Sequence, residues 1–366
     1  MGVSTAYYLA TRKGLTCTLV ERHEVAGAAS GRAGGFLALD WNDSSPVGRL
    51  ARKSYKLHQD LAQALGAEQI GYRPLETISL SAAAPRAPGG KGRPRLGAAL
   101  PGWLDGGGVV ATSKMGTHET TAQVHPRKLT LAMWAAAEAL GAKMVRGVVR
   151  GLSVDGGSNV TGVEVEGVGT LDADAVVVAL GPWSGQASTW LPRLPPVGGQ
   201  KAHSALLRPA PGAGVTGTAV FTAYKDEEGR TREPEIYPRA DGTVYVCGES
   251  SATRLPADPA DITIDSEGTI GRILEVAGAL SSCLRGAEVV AQSACYLPVT
   301  ADGLPLIGRV PGVRGAFVGA GHSCWGILNG PATGLALAEL IADGAVRSVD
   351  IAPFDPARGG HEFGAV

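Results

Sequence analysis

The sequence predicts a two-domain α/β (α+β) protein, which combines a Rossmann-like nucleotide-binding domain with a domain built on an antiparallel sheet. Gly2–Ala10 carries apolar residues at i, i+3, i+4 and i+7, and Gly14 lies where a left-handed C-cap would end that helix. Leu15–Val20 is a short β-rich run, and Glu21 follows it. The second half of a dinucleotide-binding βαβ unit has this pattern: a glycine opens a helix, and a strand then ends in an acidic residue about twenty residues after that glycine.

The first half of that unit is missing from the sequence. Gly2 corresponds to the third glycine of a G-x-G-x-x-G fingerprint, and neither the preceding strand nor its two glycines are present. That strand normally lies in the middle of its sheet, so its absence would leave unpaired backbone at the nucleotide site. We therefore expect that this form binds its nucleotide weakly or is a shortened form of a longer protein.

Length and composition indicate an enzyme. The 366 residues are enough for about two domains of ~150 residues each. Lys+Arg is 33 and Asp+Glu is 34, and this balance disfavours nucleic acid or an anionic membrane as a main partner. The 53 glycines and 23 prolines, with 5% aromatic residues, favour a loop-rich α/β enzyme over a helical bundle.

Cysteine spacing and hydropathy indicate the compartment. The five cysteines are widely spread and form no Cys-x-x-Cys or Cys/His cluster, so we expect neither a metal site nor a disulfide framework. No apolar run approaches the ~18 residues of a membrane span, and the N-terminus has no secretory signal pattern. We expect a cytoplasmic protein; the alternative is an organelle or endosome-associated one, if a targeting segment was lost with the missing strand.

The predicted elements alternate between the two domains. The predicted helices are Val47–Leu65, Pro126–Leu140, Asp265–Leu280 and Pro331–Ala342. The predicted strands are Ile70–Ser81, Ala142–Leu152, Val160–Val168, Thr170–Leu180, Ala202–Arg208, Val215–Thr222, Glu235–Pro238, Thr243–Gly248 and Gly315–Val318, with a loop from Ala294 onward. The segment 82–108, with Arg86, Lys91, Arg93 and Arg95, is predicted to be a solvated loop.

These elements predict a discontinuous domain organisation. Residues 1–70, 115–194 and 294–345 would form the nucleotide-binding domain, 71–114 and 195–293 the substrate domain, and 346–366 a C-terminal tail. Asp174–Gly181 reads as a buried parallel strand, and Trp183 follows at its carboxyl end, where open α/β sheets bind ligands.

One strand-end residue and three stretches could contact a nucleotide. Glu21 could accept both ribose hydroxyls of an adenosine, although a strand-end glutamate is usually just solvated. The small residues of Val25–Gly35 either allow a flat ligand to approach the backbone or form a flexible surface loop. Asp302–Gly308 and Gly319–Gly334 form glycine-rich turns before a helix, which offer N–H groups to a ligand or are an ordinary strand–turn–helix.

Together these stretches resemble the D-amino-acid-oxidase-like family of FAD-dependent oxidoreductases, from Gly2 to about Gly344. The matching features are Gly2 with Glu21-Arg22, Ala29-Ser30-Gly31-Arg32, Val148 after the helix at Pro126, Ala179–Trp183 and the two C-terminal glycine blocks. Lys201–Ser204 and Pro234–Pro238 look more like a fungal and plant branch of oxidoreductases with undefined substrates, a branch associated with endosomal retrograde traffic.

The resemblance implies that FAD binds in an extended form. Glu21 and Arg22 would lie at the ribose, Ala29–Arg32 near the pyrophosphate and flavin, Val148 at the adenine, and Gly326-Ile327 beside the pyrimidine edge of the flavin. The predicted cofactor-binding set also contains Gly2, Ala33, Gly34, Ala179, Gly181, Trp183, Cys295 and Gly321.

The implied reaction is hydride transfer to flavin N5 from a substrate carbon that bears an amine or a hydroxyl, with oxygen as acceptor. The substrate would be a small amine or amino-acid-like molecule. The alternative is a catalytically weak flavin-fold protein acting in endosomal trafficking. An NAD-dependent dehydrogenase is disfavoured because the C-terminal glycine blocks would then have no task. The oligomeric state is not predicted.

Two positions distinguish this sequence from other oxidases that it resembles. Related oxidases often hold a substrate carboxylate with an Arg-Pro pair, where this sequence has Leu297-Pro298; Arg239 and Arg254 are candidates to replace that arginine. Cys295 matches the cysteine that carries a covalent flavin thioether in the sarcosine-oxidase-like branch. The alternative is that Cys295 is a small buried hydrophobe.

Five side chains are candidates for the substrate space. Hydride transfer needs only a deprotonated amine, so no essential base is expected. We predict that His322 lines the site and that His203 is structural. Tyr237, Tyr245 and Trp325 are the candidates for its walls, with core packing as the alternative for each.

Overall fold

The computed structural model describes residues 1–87 and 94–358; Lys91 and Arg93 of the predicted loop, and residues 359–366 of the predicted tail, lie outside this part. The α-helices are α1 (Gly2–Lys13), α2 (Ala29–Arg32), α3 (Gly48–Leu65), α4 (Ala67–Ile70), α5 (Pro126–Ala139), α6 (Gly271–Leu280) and α7 (Gly326–Ala342). Short 3-10 or π-helical segments lie at Gly181–Thr189, Pro259–Asp261, Ser266–Ile270, Ser323–Trp325 and Ala352–Phe354.

The strands alternate with these helices along the chain. They are β1 (Thr18–Glu21), β2 (Phe36–Ala38), β3 (Arg73–Pro74), β4 (Glu76–Ala83), β5 (Arg95–Leu96), β6 (Val109–Gly116), β7 (Thr121–Gln123), β8 (Lys143–Arg146), β9 (Val149–Val154), β10 (Val160–Val165), β11 (Gly169–Asp172), β12 (Val176–Val178), β13 (Gly198–Arg208), β14 (Thr218–Lys225), β15 (Thr231–Arg232), β16 (Glu235–Pro238), β17 (Val244–Ser251), β18 (Glu288–Val299), β19 (Leu306–Arg309) and β20 (Ala316–Ala320).

Parallel pairing occurs in two small sheets, as expected of a nucleotide-binding α/β unit. β1 pairs in parallel with β8, and Glu21 lies opposite Arg146 at the end of that pair. β12 pairs in parallel with β20, which is also antiparallel to β19. Two further antiparallel sheets have the orders β11-β10-β9 and β2-β7-β3. The mixed α/β fold predicted from the sequence is confirmed.

A nine-stranded sheet forms the other half of the molecule. Its order is β18-β13-β17-β16-β14-β4-β6-β5, with β15 beside β14. β4 runs parallel to β14 and β5 parallel to β6, while the other neighbours are antiparallel. The two segments that were predicted to form the substrate domain, 71–114 and 195–293, therefore contribute to one sheet.

Two buried apolar clusters hold these layers together. Leu50 of α3, Leu129 of α5 and Leu335 of α7 belong to the first. Val220 of β14 and Ile273 of α6 belong to the second, between the large sheet and α6. Each such side chain contributes about 1.5–3 kcal/mol by leaving water. Within residues 1–87 and 94–358, no helix is long and apolar enough to cross a bilayer.

The predicted loop from Ala294 is wrong in its first part. Ala294–Val299 is the second half of β18, which pairs antiparallel with β13 through Cys295 and Ala202. β18 lies at the edge of the large sheet. An edge strand tolerates Pro298, which suggests a loop when it is read without its neighbours. β18 also crosses the predicted domain boundary at residue 294.

Several predicted strands are shorter or divided in the structure. Ala142–Leu152 is two strands, β8 and β9, because the chain changes partners at Gly147-Val148. Asp174–Gly181 contains only the three-residue β12, and two of those residues are half-buried because they face a cavity.

The prediction that the last helix begins at Pro331 is wrong. α7 begins at Gly326 and continues through Pro331. Proline has no N–H, so it cannot donate to the carbonyl of Ile327 four residues earlier. The buried His58 of α3 replaces the missing donor, because its Nε2 donates to the carbonyl oxygens of Ile327 at 3.0 Å and Leu328 at 3.2 Å.

A second side chain of α3 also forms a hydrogen bond with the backbone of α7 near Pro331. Ser54 lies one turn before His58, and its Oγ accepts the N–H of Ala332 at 3.0 Å. Both α3 side chains are fully buried. The sequence therefore places a polar pair on α3 where the proline interrupts α7.

This arrangement predicts an acid-sensitive fold. Burial lowers the pKa of His58 to about 4, so the folded protein keeps it neutral while the unfolded chain gains a proton below pH ~6.5. The unfolded state then binds more protons, so the free energy of unfolding is highest above pH ~6.5 and should fall as pH drops toward ~4. His125 and His322 act in the same direction, since burial lowers their pKa values to about 4 and about 3.

Urea unfolding at several pH values measures this effect. His58→Ala should lower the free energy of unfolding at pH 7 by about 1–3 kcal/mol, because it leaves a buried carbonyl unpaired. The same variant should lose stability less steeply between pH 6.5 and 4. His118→Ala, at an exposed histidine, is the matched control and should do neither. An unchanged pH profile in His58→Ala would contradict the prediction.

Candidate cofactor and substrate site

One cavity of about 1530 Å³ is lined by both parallel sheets and by the large sheet. This volume exceeds the ~300–1,000 Å³ of pockets for drug-sized ligands, and the cavity also extends along the strands β1 and β12. The predicted site residues that line it are Gly2, Glu21, Arg22, Ala29, Ser30, Arg32, Ala33, Gly34, Val148, Ala179, Gly181, Trp183, Tyr237, Cys295, His322, Trp325, Gly326 and Ile327. The structure brings these together, and their individual roles remain predictions.

Gly321 is the exception, because it does not line the cavity. Its φ of 79° lies in the left-handed region, and an added Cβ would come 2.7 Å from the Thr300 side chain. Backbone geometry therefore accounts for this glycine without contact to a ligand.

One end of the cavity is acidic and closed by a loop of the other half of the molecule. Glu21 ends β1, and one of its carboxylate oxygens accepts the N–H of His23 at 3.0 Å. The Nη1 of Arg22 donates to the carbonyl of Ala257 at 3.1 Å, and Asp258 lies 2.5 Å from the ring of His23. A carboxylate at this rim is suited to accept ribose hydroxyls.

The small-residue stretch after β1 is folded and not a flexible loop. Ala29–Arg32 forms the short helix α2, and the Nη1 of Arg32 donates to the carbonyl of Ala294 at 2.8 Å. An added Cβ at Gly34 would come 2.7 Å from the ring of Tyr237. The backbone of this stretch therefore packs closely against the large sheet at Gly34, and other residues of the stretch line the cavity.

The middle of the cavity is bordered by the ends of two strands. Val148 follows β8, and its carbonyl accepts the N–H of Glu166 at 2.9 Å. Gly181 has a φ of 56°, and nothing would meet a Cβ there within 4 Å. The ring N–H of Trp183 donates to the carbonyl of Pro256 at 2.7 Å, so the tryptophan holds a loop of the large-sheet half.

The start of α7 forms an open glycine turn on the cavity. The nearest atom to an added Cβ at Gly326 would be 3.8 Å away, at the Cβ of His322. Space is thus left for a flat group to reach the helix N-terminus, where N–H groups and the helix dipole favour negative charge. The prediction that His322 lines this space agrees with its position, and its Nε2 lies 3.4 Å from Thr333 Oγ1.

His203 has a structural contact. Its Nε2 accepts the backbone N–H of Asp265 at 3.2 Å, at the start of a helical segment. Its side chain is buried, and burial lowers its pKa.

The opposite end of the cavity is an aromatic cluster, of which the sequence predicts Tyr237, Tyr245 and Trp325 but not Phe36, Trp41 and Phe221. Its members are Phe36, Trp41, Phe221, Tyr237, Tyr245 and Trp325, and all of them line the cavity. Ring centroids lie 4.9 Å apart for Trp41 and Phe221, 5.0 Å for Phe36 and Trp41, and 6.3 Å for Trp41 and Trp325. Tyr237 stacks on Phe36 at 5.6 Å.

Glu235 introduces a carboxyl group into this cluster. Its Oε2 accepts hydrogen bonds from the hydroxyl of Tyr237 and, at 3.5 Å, from the thiol of Cys247. Burial raises the pKa of Glu235. An acid two residues before a tyrosine on a strand shares its face, and this spacing was the available signal in the sequence.

Neither arginine proposed to replace the missing carboxylate ligand lines the cavity. Arg239 contacts the carbonyl of Ala33 at 3.4 Å and the ring of Tyr245 at 5.0 Å. Arg254 is exposed, and Leu297 does line the cavity, as expected from its sequence position.

The residues present fit FAD. The buried His322 Nδ1 has no hydrogen-bond partner in the described part of the chain, and His322 lines the cavity. A bound cofactor could satisfy this atom. Glu21 and Arg22 would hold the ribose end, and the turn at Gly326 would hold the flavin end.

Comparison with known proteins agrees with this geometry. Residues 1–340 match the family described as DAO, FAD dependent oxidoreductase. The chain is 34% identical to the Schizosaccharomyces pombe protein named “Putative oxidoreductase C1F5.03c”, over 97% of this chain and 95% of that protein.

Solved structures share the fold. The crystal structure of glycine oxidase from Geobacillus kaustophilus superposes with a TM-score of 0.76 at 26% identity, over 98% of this chain and 95% of that one. The L-proline dehydrogenase of P. horikoshii, at 18% identity and a TM-score of 0.77, shares the fold over 98% of this chain and 94% of its own. The cavity, its acidic rim and glycine turn, and the match over residues 1–340 lead to one conclusion: this chain belongs to the DAO family of FAD-dependent oxidoreductases.

Proposed function

We propose that this chain oxidises a small amine or amino-acid-like substrate by hydride transfer to flavin N5, with oxygen as the electron acceptor. The observation that carries the proposal is the single cavity that reaches from Glu21 to the aromatic cluster. Bound FAD would supply the hydride acceptor, while the protein supplies orientation and electrostatics. Similarity to a protein named glycine oxidase over nearly the full chain supports an amine or amino-acid-like substrate.

His322 would act as a neutral wall of this site. Burial lowers its pKa to about 3, so it carries no charge at neutral pH. It can orient a ligand by hydrogen bonding through Nδ1, which has no partner in the described residues. Hydride transfer from an already neutral amine does not require it to accept a proton.

The optical spectrum of the purified protein tests the proposal. We expect flavin absorbance, bleaching when a panel of primary and secondary amines and amino acids is added without oxygen, and recovery with hydrogen peroxide formation on admitting air. A folded but colourless protein that does not take up added FAD would overturn it. A yellow protein that no substrate bleaches would favour the flavin-fold trafficking alternative.

The flavin should be released when the protein is denatured in acid. Cys295 is the candidate for a covalent thioether, but it is 7% exposed, and burial raises the pKa of its thiol to about 11. Little thiolate is then available for bond formation. Intact-mass analysis of the denatured chain should give the mass of the polypeptide alone. A mass increased by that of FAD, and lost in Cys295→Ser, would contradict this expectation.

A further inference from the structure

We propose that the aromatic cluster and Glu235 form a binding site for an organic cation, so that the substrate enters as an alkylammonium group with an N–H bond and needs no carboxylate. Before hydride transfer the bound ammonium group would give its N–H proton to the Glu235 carboxylate, which leaves the neutral amine. The inference rests on the proposed function, because it names the substrate class of the same cavity.

The first support is the position of the Glu235 carboxyl group. In the part of the chain that the structure describes, this carboxyl group has no ion-pair partner, although it lines the cavity. Glu249 lines the same cavity but is already paired with Arg232 at 2.8 Å and with Arg272 at 2.7 Å. Glu235 is therefore the carboxyl group left to neutralise a ligand at the aromatic end.

The second support is the surroundings of that carboxyl. Aromatic faces attract cations through the ring quadrupole, and more strongly where water is excluded. Phe36, Trp41, Phe221 and Trp325 are only half-buried, so part of each ring remains accessible from the cavity. A ring cluster beside an unpaired carboxyl group is the chemistry that recognises substituted ammonium groups.

The third support is the position of the arginines. The apolar Leu297 lines the cavity, whereas Arg239 and Arg254 do not. Arg32 does line it, but its guanidinium donates to the carbonyl of Ala294. A substrate carboxylate would thus have to compete for Arg32.

The protonation state of Glu235 and the binding of a cation depend on each other. Burial raises the pKa of Glu235 because loss of water disfavours the charged form, and the hydrogen bonds from Tyr237 and Cys247 oppose that shift. A bound ammonium group would favour the ionised form, so ligand and carboxylate would stabilise each other.

Calorimetric titration of the purified protein tests the inference. The probe is tetramethylammonium chloride, which has no nitrogen lone pair and cannot be oxidised to an imine; tert-butanol is a neutral analogue of similar size, and sodium acetate is the carboxylate comparison. We expect saturable binding of tetramethylammonium at least tenfold tighter than that of tert-butanol or acetate.

Variants separate the two parts of the site. Glu235→Gln keeps an acceptor for Tyr237 and should weaken tetramethylammonium binding at least tenfold. Trp41→Leu should weaken it severalfold by removing one ring face. Glu164→Gln, at an exposed glutamate outside the cavity lining, is the matched control and should leave the affinity unchanged. Thermal unfolding of each variant confirms that it is folded.

The outcomes are distinct from those of the function test. Equal binding of tetramethylammonium and tert-butanol, tighter binding of acetate, or unchanged affinity in Glu235→Gln would each overturn the inference, and acetate binding would point to Arg32. A flavin that amines bleach, in a protein that does not bind tetramethylammonium, would leave the proposed function intact. Cation binding by a colourless protein would support the site while refuting the oxidase.

Discussion

Gly334→Ala should lower the free energy of unfolding by about 1–3 kcal/mol, at the upper end of that range. A Cβ at Gly334 would come 2.5 Å from the carbonyl carbon of Ser4 on α1. Because this neighbour is backbone and both helices are buried here, the strain can be relieved only by moving α1 away from α7. Urea unfolding monitored by circular dichroism measures the loss.

Gly334→Ala should also lower the affinity for FAD. α1 begins at Gly2 and α7 at Gly326, and both starts line the cavity. A shift between the two helices would change the distance between the two ends of the cofactor site. FAD titration of the same variant should therefore show a weaker affinity, even at temperatures where it is folded.

Gly330→Ala is the matched control for this prediction. It makes the same chemical change one turn earlier on α7, but the nearest atom to the new Cβ would be the Met1 Cε at 3.8 Å. Its stability should stay constant or rise by up to ~1 kcal/mol, since alanine is the better helix former. If the two variants were equally stable, close packing at Gly334 would not be what sets the spacing of α1 and α7.

Local patterns accounted for much of the nucleotide side of the fold. Gly2–Ala10 and Leu15–Glu21 were recognised from periodicity and a C-cap glycine, which depend only on nearby residues. The helix at Pro126 was placed correctly for the same reason, since proline at the first helical position is a local signal.

Features that depend on distant partners were not predictable. Pro331 suggested a helix start, because nothing local showed that His58, far away in the sequence, would supply the missing donor. The edge strand after Ala294 is stabilised by pairing with β13 and has a weak pattern of its own.

The candidate site divides in the same way. Residues at its cofactor end belong to short contiguous motifs and were predicted together. The aromatic cluster draws Phe36, Trp41 and Phe221 from separate segments that only the assembled sheets bring into contact. Glu235 was visible in the sequence, but its lack of an ion-pair partner among the described residues appears only in three dimensions.

Glu21→Ala should weaken FAD binding about 10- to 100-fold. The backbone of Glu21 is fixed, because its carbonyl accepts the N–H of Gly147 at 3.0 Å and its strand pairs with β8. The carboxylate is thus held at the cavity rim in an orientation suited to two ribose hydroxyls. Hydrogen bonds to a charged group contribute about 1.5–3 kcal/mol, and each ~1.4 kcal/mol is tenfold in affinity.

Fluorescence titration of apoprotein with FAD measures this affinity, and two further variants define its origin. Glu21→Gln keeps one acceptor oxygen and should fall between the wild type and Glu21→Ala. Glu164→Gln, at an exposed strand glutamate outside the cavity lining, should bind FAD as the wild type does. Unchanged affinity in Glu21→Ala would mean that the ribose is held elsewhere, with Arg22 as the adjacent candidate. All three variants remove one negative charge, so net charge alone would affect them equally. An affinity that falls from Glu164→Gln through Glu21→Gln to Glu21→Ala would therefore assign the ribose contact to the Glu21 carboxylate.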